Sequence, residues 1–139
     1  MKKLFAILLV AVLTSCGSEP ALESPKNNTD YRNIIGNPVK IDKLEVAGYD
    51  FPKEMNWEDA KKACEALGQG WKLPSKDELD FLYQNRDAIG RFTSRYYWSS
   101  TLDKNGDAWQ QHFNSGKQYY VYIKNGKGVY NVRAVRTTK

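Results

Sequence analysis

The apolar positions of this chain change their period repeatedly along its length. Leu4 to Leu13 is an unbroken apolar run of ten residues, and from Gly17 to about Asp30 apolar residues thin out among Ser, Glu, Pro, Asn and Lys. Val39, Ile41, Leu44 and Val46 then alternate imperfectly, which predicts a strand or a pair of short strands. Trp57, Ala60, Cys64 and Leu67 recur at helical spacing, with Ala63 widening the stripe. Asn56 can cap that helix, Asp59 completes a variant capping box, and Gly68 fits the position just past its end. A second helix is announced by the Ser75-x-x-Glu78 capping box, carries Leu79, Leu82 and Tyr83 as its stripe with Phe81 off it, and fades near Asn85. Asn85 to Phe92 is a connector with Gly90 and room for one short turn of helix.

From Tyr96 onward the period is two. The runs Tyr96–Thr101, Ala108–Phe113, Gln118–Lys124 and Val129–Arg136 are rich in Tyr, Val, Trp and Ile, as strands prefer. Asn105-Gly106 and Asn125-Gly126 predict type I′ hairpin turns, whose two central residues both need positive φ, and Asn114-Ser115-Gly116 suits a slightly longer hairpin. Short loops force antiparallel neighbours, so this half predicts a four-strand meander. Helices first and sheet second gives an α+β domain.

The apolar run at the start is too short to span a membrane, which takes about 20 residues, but it suffices for the core of a signal peptide. Lys2 and Lys3 precede it, and Leu13-Thr14-Ser15-Cys16 follows it. That tetrapeptide resembles a bacterial lipobox, in which the Cys is lipidated and becomes the first residue after cleavage. Two or three acyl chains hold a protein on a membrane far longer than one, since each buried methylene contributes about 0.8 kcal/mol. The expected organisation is a signal peptide over 1–15, a flexible tether over 16–30 beginning at lipidated Cys16, and a single domain over 31–139.

Composition narrows the function. The formal charge is +5, but removing Lys2 and Lys3 from the 21 Lys and Arg leaves 19 against 16 acidic residues, about +3, so a nucleic-acid partner loses its main support. The 2 Cys exclude a disulfide-rich scaffold, and with Cys16 committed to lipid, Cys64 has no intramolecular partner. Cys64 sits on the apolar stripe of its helix and reads as a small core residue, not a nucleophile. The single His, His112, lies in an alternating strand and has no orienting partner that spacing can argue. Asp103, Asn105 and Asp107 mimic the start of an EF-hand loop, but Ala108 and Asn114 stand where that loop wants Gly and a bidentate Glu, so a polar hairpin turn is the plainer reading.

Trp57-Glu-Asp-Ala60, Cys64-Glu-Ala-Leu67-Gly68, Gly70-Trp71-Lys72-Leu73-Pro74-Ser75, Glu78-Leu79, Tyr97-Trp98-Ser99-Ser100-Thr101, Ala108-Trp109 and Val132-Arg133-Ala134-Val135-Arg136 fall in order along the chain. This pattern resembles the bacterial Lcl C-terminal-like domain family, named for the C-terminal domain of a collagen-like adhesin, over about Val39 to Arg136. The resemblance implies a C-type-lectin-like fold, related to the sulfatase-modifying enzymes that generate formylglycine, with the N- and C-terminal strands side by side. It therefore pairs the Val39–Val46 region with Val129–Arg136. Family members with an assigned role act in surface adhesion or glycan binding. The catalytic cysteines of the sulfatase-modifying relatives have no counterpart, because no Cys follows Cys64, so that activity does not carry over.

Trp57, Trp71, Trp98 and Trp109 lie on these motifs and are expected in the core. The tyrosines are less committed. In the Gln118–Lys124 strand Tyr120 and Tyr122 share one face and Tyr119, Val121 and Ile123 the other, and Tyr96, Tyr120 and Tyr122 with Arg91, Arg95 and Lys117 are the candidate ligand-binding patch for glycan stacking or anion pairing. Cross-strand packing in a small sheet is the competing reading. Arg133 and Arg136 read as structural ion-pair partners. The expectation is a non-catalytic binding or adhesion module without cofactor or metal. It would be anchored to a bacterial membrane, the outer membrane or cell surface in preference to the inner, through lipid on Cys16, with a glycan or an envelope protein as partner. The alternative is a structural or accessory envelope lipoprotein docking on a partner protein. Replacing Cys16→Ser should abolish incorporation of a clickable palmitate analogue and move the protein out of the membrane pellet; unchanged labelling would remove the lipoprotein reading.

Overall fold

The computed structural model describes residues 30–139, so the expected signal peptide, Cys16 and all but the last residue of the expected tether lie outside the described residues. A short 3-10 turn over Arg32–Ile34 leads into β1 (Val39–Ile41) and β2 (Leu44–Val46), a tight antiparallel hairpin. Helices α1 (Trp57–Ala66), α2 (Lys76–Gln84) and the single-turn α3 (Arg86–Ile89) follow, then strands β3 (Tyr96–Leu102), β4 (Ala108–His112), β5 (Gln118–Val121) and β6 (Val135–Thr137). They form two three-stranded sheets, ordered β1-β2-β6 and β3-β4-β5. The pairing of β2 with β6, Leu44↔Thr137 through Val46↔Val135, brings the two ends of the domain side by side as expected.

Both helices start as their sequences dictate. The Asn56 side chain accepts the Asp59 N–H at 2.9 Å, although the Asp59 carboxylate meets the Asn56 side chain and not its backbone. The Ser75–Glu78 capping box is complete in both directions, and Lys72 adds an ion pair to Glu78 at 2.6 Å. Trp57, Ala60, Cys64 and Leu67 of the first stripe and Leu79 and Leu82 of the second are buried.

The core has two halves, and β3 separates them. Trp98 packs with Trp57, Trp71, Leu73 and the α1 stripe, whereas Tyr97 packs with Leu79, Leu82, Ile89 and Phe113. Consecutive strand residues point to opposite faces, so burial of both Tyr97 and Trp98 means that β3 is covered on both sides. The indole N–H groups are satisfied: Trp57 donates to the Ser99 carbonyl and Trp98 to the Met55 carbonyl, each at 2.8 Å.

The four-strand meander is corrected to three strands. The last run does not return beside β5. Val132, Arg133, Ala134 and Val135 are all buried, which an edge strand with one solvent face cannot provide. Instead Tyr130 bridges Met55, Asn131 pairs with Tyr97 in parallel sense, Val135 bridges Lys72, and only then does β6 join β2. The type I′ turns are corrected as well. Gly106 has φ 81° and Gly126 φ 64°, but neither Asn105 nor Asn125 has positive φ. Gly106 donates its N–H to the Asp103 carbonyl, and Asp103 caps the turn by accepting the Asn105 and Asp107 N–H groups at 2.8 and 2.9 Å. At Gly106 the single left-handed glycine after a turn is the pattern of a slightly longer hairpin. The Asn125-Gly126 turn joins no hairpin, because among the described residues no strand pairs with β5 beyond it. Gly116 is required twice over: its φ is 75°, and a Cβ there would stand 2.4 Å from the Tyr83 ring of α2.

Arg133 is the deepest charge in the domain. Its side chain is fully buried and donates from Nε to Asp50 Oδ1 at 2.6 Å, and from its terminal nitrogens to the carbonyls of Ala47, Gly90 and Arg91. The other Asp50 oxygen accepts the Tyr97 hydroxyl at 2.6 Å, and that hydroxyl accepts the Thr93 N–H at 2.8 Å. Burial pushes the Asp50 carboxyl up from its ordinary range, against the pull of Arg133 and of the Tyr97 hydroxyl; burial and the Asp50 charge push the Tyr97 phenol up in turn. Removing one partner of a buried pair strands the other, at a cost of about 3–5 kcal/mol. Arg133→Met should therefore lower the unfolding free energy by roughly that amount, and Tyr97→Phe by about 1–2 kcal/mol, read from urea denaturation midpoints. A change below about 1 kcal/mol for Arg133→Met would show that the network carries little.

Candidate functional site

The six residues of the sequence-predicted patch are not brought together. The register Tyr96↔His112, Gln110↔Tyr119 and Trp109↔Tyr120 places Tyr96 with Tyr119 on one face of the β3-β4-β5 sheet and Tyr120 with Trp109 on the other. Tyr96 is half-buried among the rings of His112, Tyr119 and Tyr130, at centroid distances of 4.4, 6.3 and 5.7 Å. Arg91 stacks its guanidinium on Tyr49 at 4.7 Å, and Arg95 stands 3.9 Å from Glu54. Lys117 is exposed in the β4–β5 hairpin. Tyr120 is 60 % and Tyr122 54 % exposed, but β5 ends at Val121, so strand alternation no longer fixes the face of Tyr122.

What the sheet does assemble is a different set. Trp109 is only half-buried, which corrects the expectation that all four tryptophans are core. The Lys76 ammonium lies 3.7 Å from the centroid of its ring, and Tyr120 meets it edge-on at 5.7 Å. Lys76 is held there because it opens α2, donates its N–H to Thr101 Oγ1 at 2.9 Å, and offers its carbonyl to the Gln118 amide at 3.1 Å. Behind it Gln111 reaches Asp80 at 2.7 Å, closing β4 onto α2. A cation over an indole is stabilised by about 0.5–1 kcal/mol at such a site. The pairing of Trp109 with Tyr120 was open to counting outward from the Asn114-Ser115-Gly116 turn; the arrival of Lys76 was not, because it depends on how α2 docks.

The stretch of chain from β4 onward is basic. From residue 108 to 139 there is no Asp or Glu, while Lys117, Lys124, Lys127, Arg133, Arg136 and Lys139 all lie in that stretch. Arg133 and Arg136 are matched to Asp50 and Glu45, but Lys76, Lys117, Lys124 and Lys127 have no acidic partner among the described residues.

The remaining candidates resolve into structure. Asp103 spends its carboxylate on its own turn, and the Asp107 N–H first, then those of Asn105 and Gly106, holds it below the usual carboxylate range. Among the described residues no group of three or more His, Cys, Asp or Glu is placed to hold a metal, and no helix is long and apolar enough to cross a membrane. His112 bonds Ser115 Oγ through Nδ1 at 3.0 Å. Arg136 pairs with Glu45 and lies over the Trp71 ring at 4.9 Å.

Residues 27–136 match the family defined by the Lcl C-terminal domain. The chain belongs to that family. No curated protein matches it. Among solved structures it resembles convulxin, a snake venom toxin, with TM-score 0.53 and 16 % identity over 75 % of this chain and 97 % of that one. Botrocetin gives TM-score 0.52 and 14 % identity over 74 % of this chain and 98 % of its own. EMS16, an antagonist of a collagen-receptor integrin, gives 0.52 and 11 % over 73 % and 97 %. At such identities the likeness establishes the fold: this Lcl C-terminal domain is C-type-lectin-like, α+β, with its terminal strands paired.

Cys64 of the Lcl C-terminal domain is fully buried, and burial, with Glu65 nearby, pushes its thiol well above the ordinary range. In a Cys16→Ser chain, a thiol reagent should find no reactive group at pH 8 until denaturant is added and one afterwards; fast native labelling would place Cys64 at the surface.

Proposed function

We propose that this Lcl C-terminal domain is a non-catalytic binding and adhesion module of the bacterial cell envelope, held by lipid on Cys16 and presenting the Lys76–Trp109–Tyr120 face to a glycan or anionic polymer. The tether over 16–30 would let the domain reach away from an outer membrane or cell surface. The observation that carries the reading is the aromatic pair on β4 and β5, half-buried Trp109 with exposed Tyr120, capped by Lys76, in a stretch of chain that has lysines and no acidic residue. Aromatic rings stack on sugar faces, and ammonium groups pair with sulfate or carboxylate. Of the earlier patch, Lys117 and Tyr120 stay in this proposal; Tyr122, exposed just past the end of β5, is not needed for it. Arg91, Arg95 and Tyr96 belong to other surfaces.

A second reading has its own support. EMS16 is an antagonist of a receptor protein, and botrocetin is seen in complex with the von Willebrand factor A1 domain, so the fold serves protein recognition elsewhere. An accessory lipoprotein docking on an envelope protein would use the same face.

Dextran sulfate separates the two. Binding should weaken steeply as salt rises, and the triple variant Lys76→Ala, Lys117→Ala, Lys124→Ala should lose about tenfold in affinity at low salt, given contributions of up to about 1 kcal/mol per exposed charge. Trp109→Ala should lose affinity with little change in the salt slope. Absence of binding to sulfated, carboxylated and neutral polysaccharides alike would leave the protein-docking reading.

A further inference from the structure

The β4–β5 ladder fixes which backbone groups of β5 are in use. His112 donates its N–H to the Lys117 carbonyl at 2.9 Å, and the pairs Gln110↔Tyr119 and Ala108↔Val121 follow at intervals of two. Hydrogen-bonded and non-hydrogen-bonded pairs alternate along an antiparallel ladder. Lys117, Tyr119 and Val121 therefore turn their N–H and C=O groups towards β4, and Gln118 and Tyr120 turn theirs away. Among the described residues nothing bonds those outward backbone groups.

Exposed edges are normally guarded by charge, proline or brevity. The other edges of this molecule follow that rule. β1 is three residues long, follows Pro38 and has exposed Lys40 at its centre. The free side of β3 is covered by Asn131, which bonds Tyr96 and Trp98 through its backbone. β6 carries Arg136. β5 alone, Gln118-Tyr119-Tyr120-Val121, has neither charge nor proline, and its two tyrosines are 44 % and 60 % exposed on opposite faces. Its charges lie just outside it, in Lys117, Lys124 and Lys127.

We infer that β5 is a docking edge for an extended acidic peptide of a partner protein, added antiparallel or parallel as a fourth strand. Outward N–H and C=O groups in strand spacing are complementary to another backbone, and Tyr119 and Tyr120 then flank its alternate side chains. Lys117, adjoining β5 in the chain, with Lys124 and Lys127 a few residues past its end, favours an acidic segment, and a second copy of this chain would meet it with like charge. The inference stands on the backbone edge and not on the aromatic face, so it survives if polysaccharide binding fails.

The test uses the whole chain in detergent micelles and a labelled peptide alternating Glu and Val. At saturation, amide exchange at Gln118 and Tyr120 should slow about tenfold or more while Tyr119 and Val121, already bonded to β4, change little. Tyr120→Pro deletes an outward N–H without taking a bond from β4, so it should bind at least about tenfold more weakly than Tyr120→Ser, which loses the ring but keeps the N–H. If the proline variant does not fold, exchange in the unaltered chain decides. No binding, binding without slowed exchange at Gln118 and Tyr120, equal binding of a Lys–Val peptide, or concentration-dependent slowing of the same amides without peptide would each overturn the proposal, the last in favour of a second copy.

Discussion

The fold depends on one buried charge. Arg133 ties together the segment after β2, through Asp50 and the Ala47 carbonyl, the turn after α3, through Gly90 and Arg91, and β3, through Asp50 and Tyr97. These contacts span 83 positions between Asp50 and Arg133. A guanidinium stays charged in any protein environment, so each of its donors needs an acceptor once it is buried. Here they are supplied because the C-terminal run passes through the middle of the domain. A buried pair of this kind is weak evidence for net stability; its cost falls on alternatives that would leave Arg133 or Asp50 unpaired.

That path has consequences for the surface. Because Val132 to Val135 is buried and Asn131 covers the outer side of β3, the one free edge of the second sheet is left to β5. β3 is enclosed by α1 on the Trp98 face and α2 on the Tyr97 face. Trp109, two residues out from Gln111 on the α2 face, falls at the rim where α2 begins, and Lys76 meets it there. The unguarded strand edge is thus a by-product of threading the last strand elsewhere. A true four-strand meander would have paired β5 along that edge and left the Trp109–Tyr120 face as it is.

Much was legible in local sequence. The capping residues Asn56, Ser75 and Glu78 act over three positions, and the α1 and α2 stripes repeat at helical spacing, so short-range hydrogen bonding and amphipathicity suffice to place them. The three β strands of the second sheet were legible for the same reason, their period being two. The turns were only half legible: Asn-Gly announced a bend, but Asp103 chose its geometry by capping the turn with its own carboxylate. The candidate patch was legible residue by residue and not as a site. Tyr120 and Lys117 sit on or beside β5, whereas Tyr96, Arg91 and Arg95 are turned elsewhere by strand alternation and by partners at Tyr49 and Glu54.

Local sequence was enough for the helices, their caps, the two hairpins of the second sheet, the family pattern and the expectation of a lipid anchor, since each rests on residues within a few positions of one another. The tertiary structure decided where the last strand goes, which tryptophan comes to the surface, and which backbone edge stays open. Those outcomes turn on pairing residues far apart in the chain, and the energy that fixes them, burial of Arg133 against Asp50 and of Tyr97 and Trp98 on opposite faces of one strand, exists only once the chain has closed on itself.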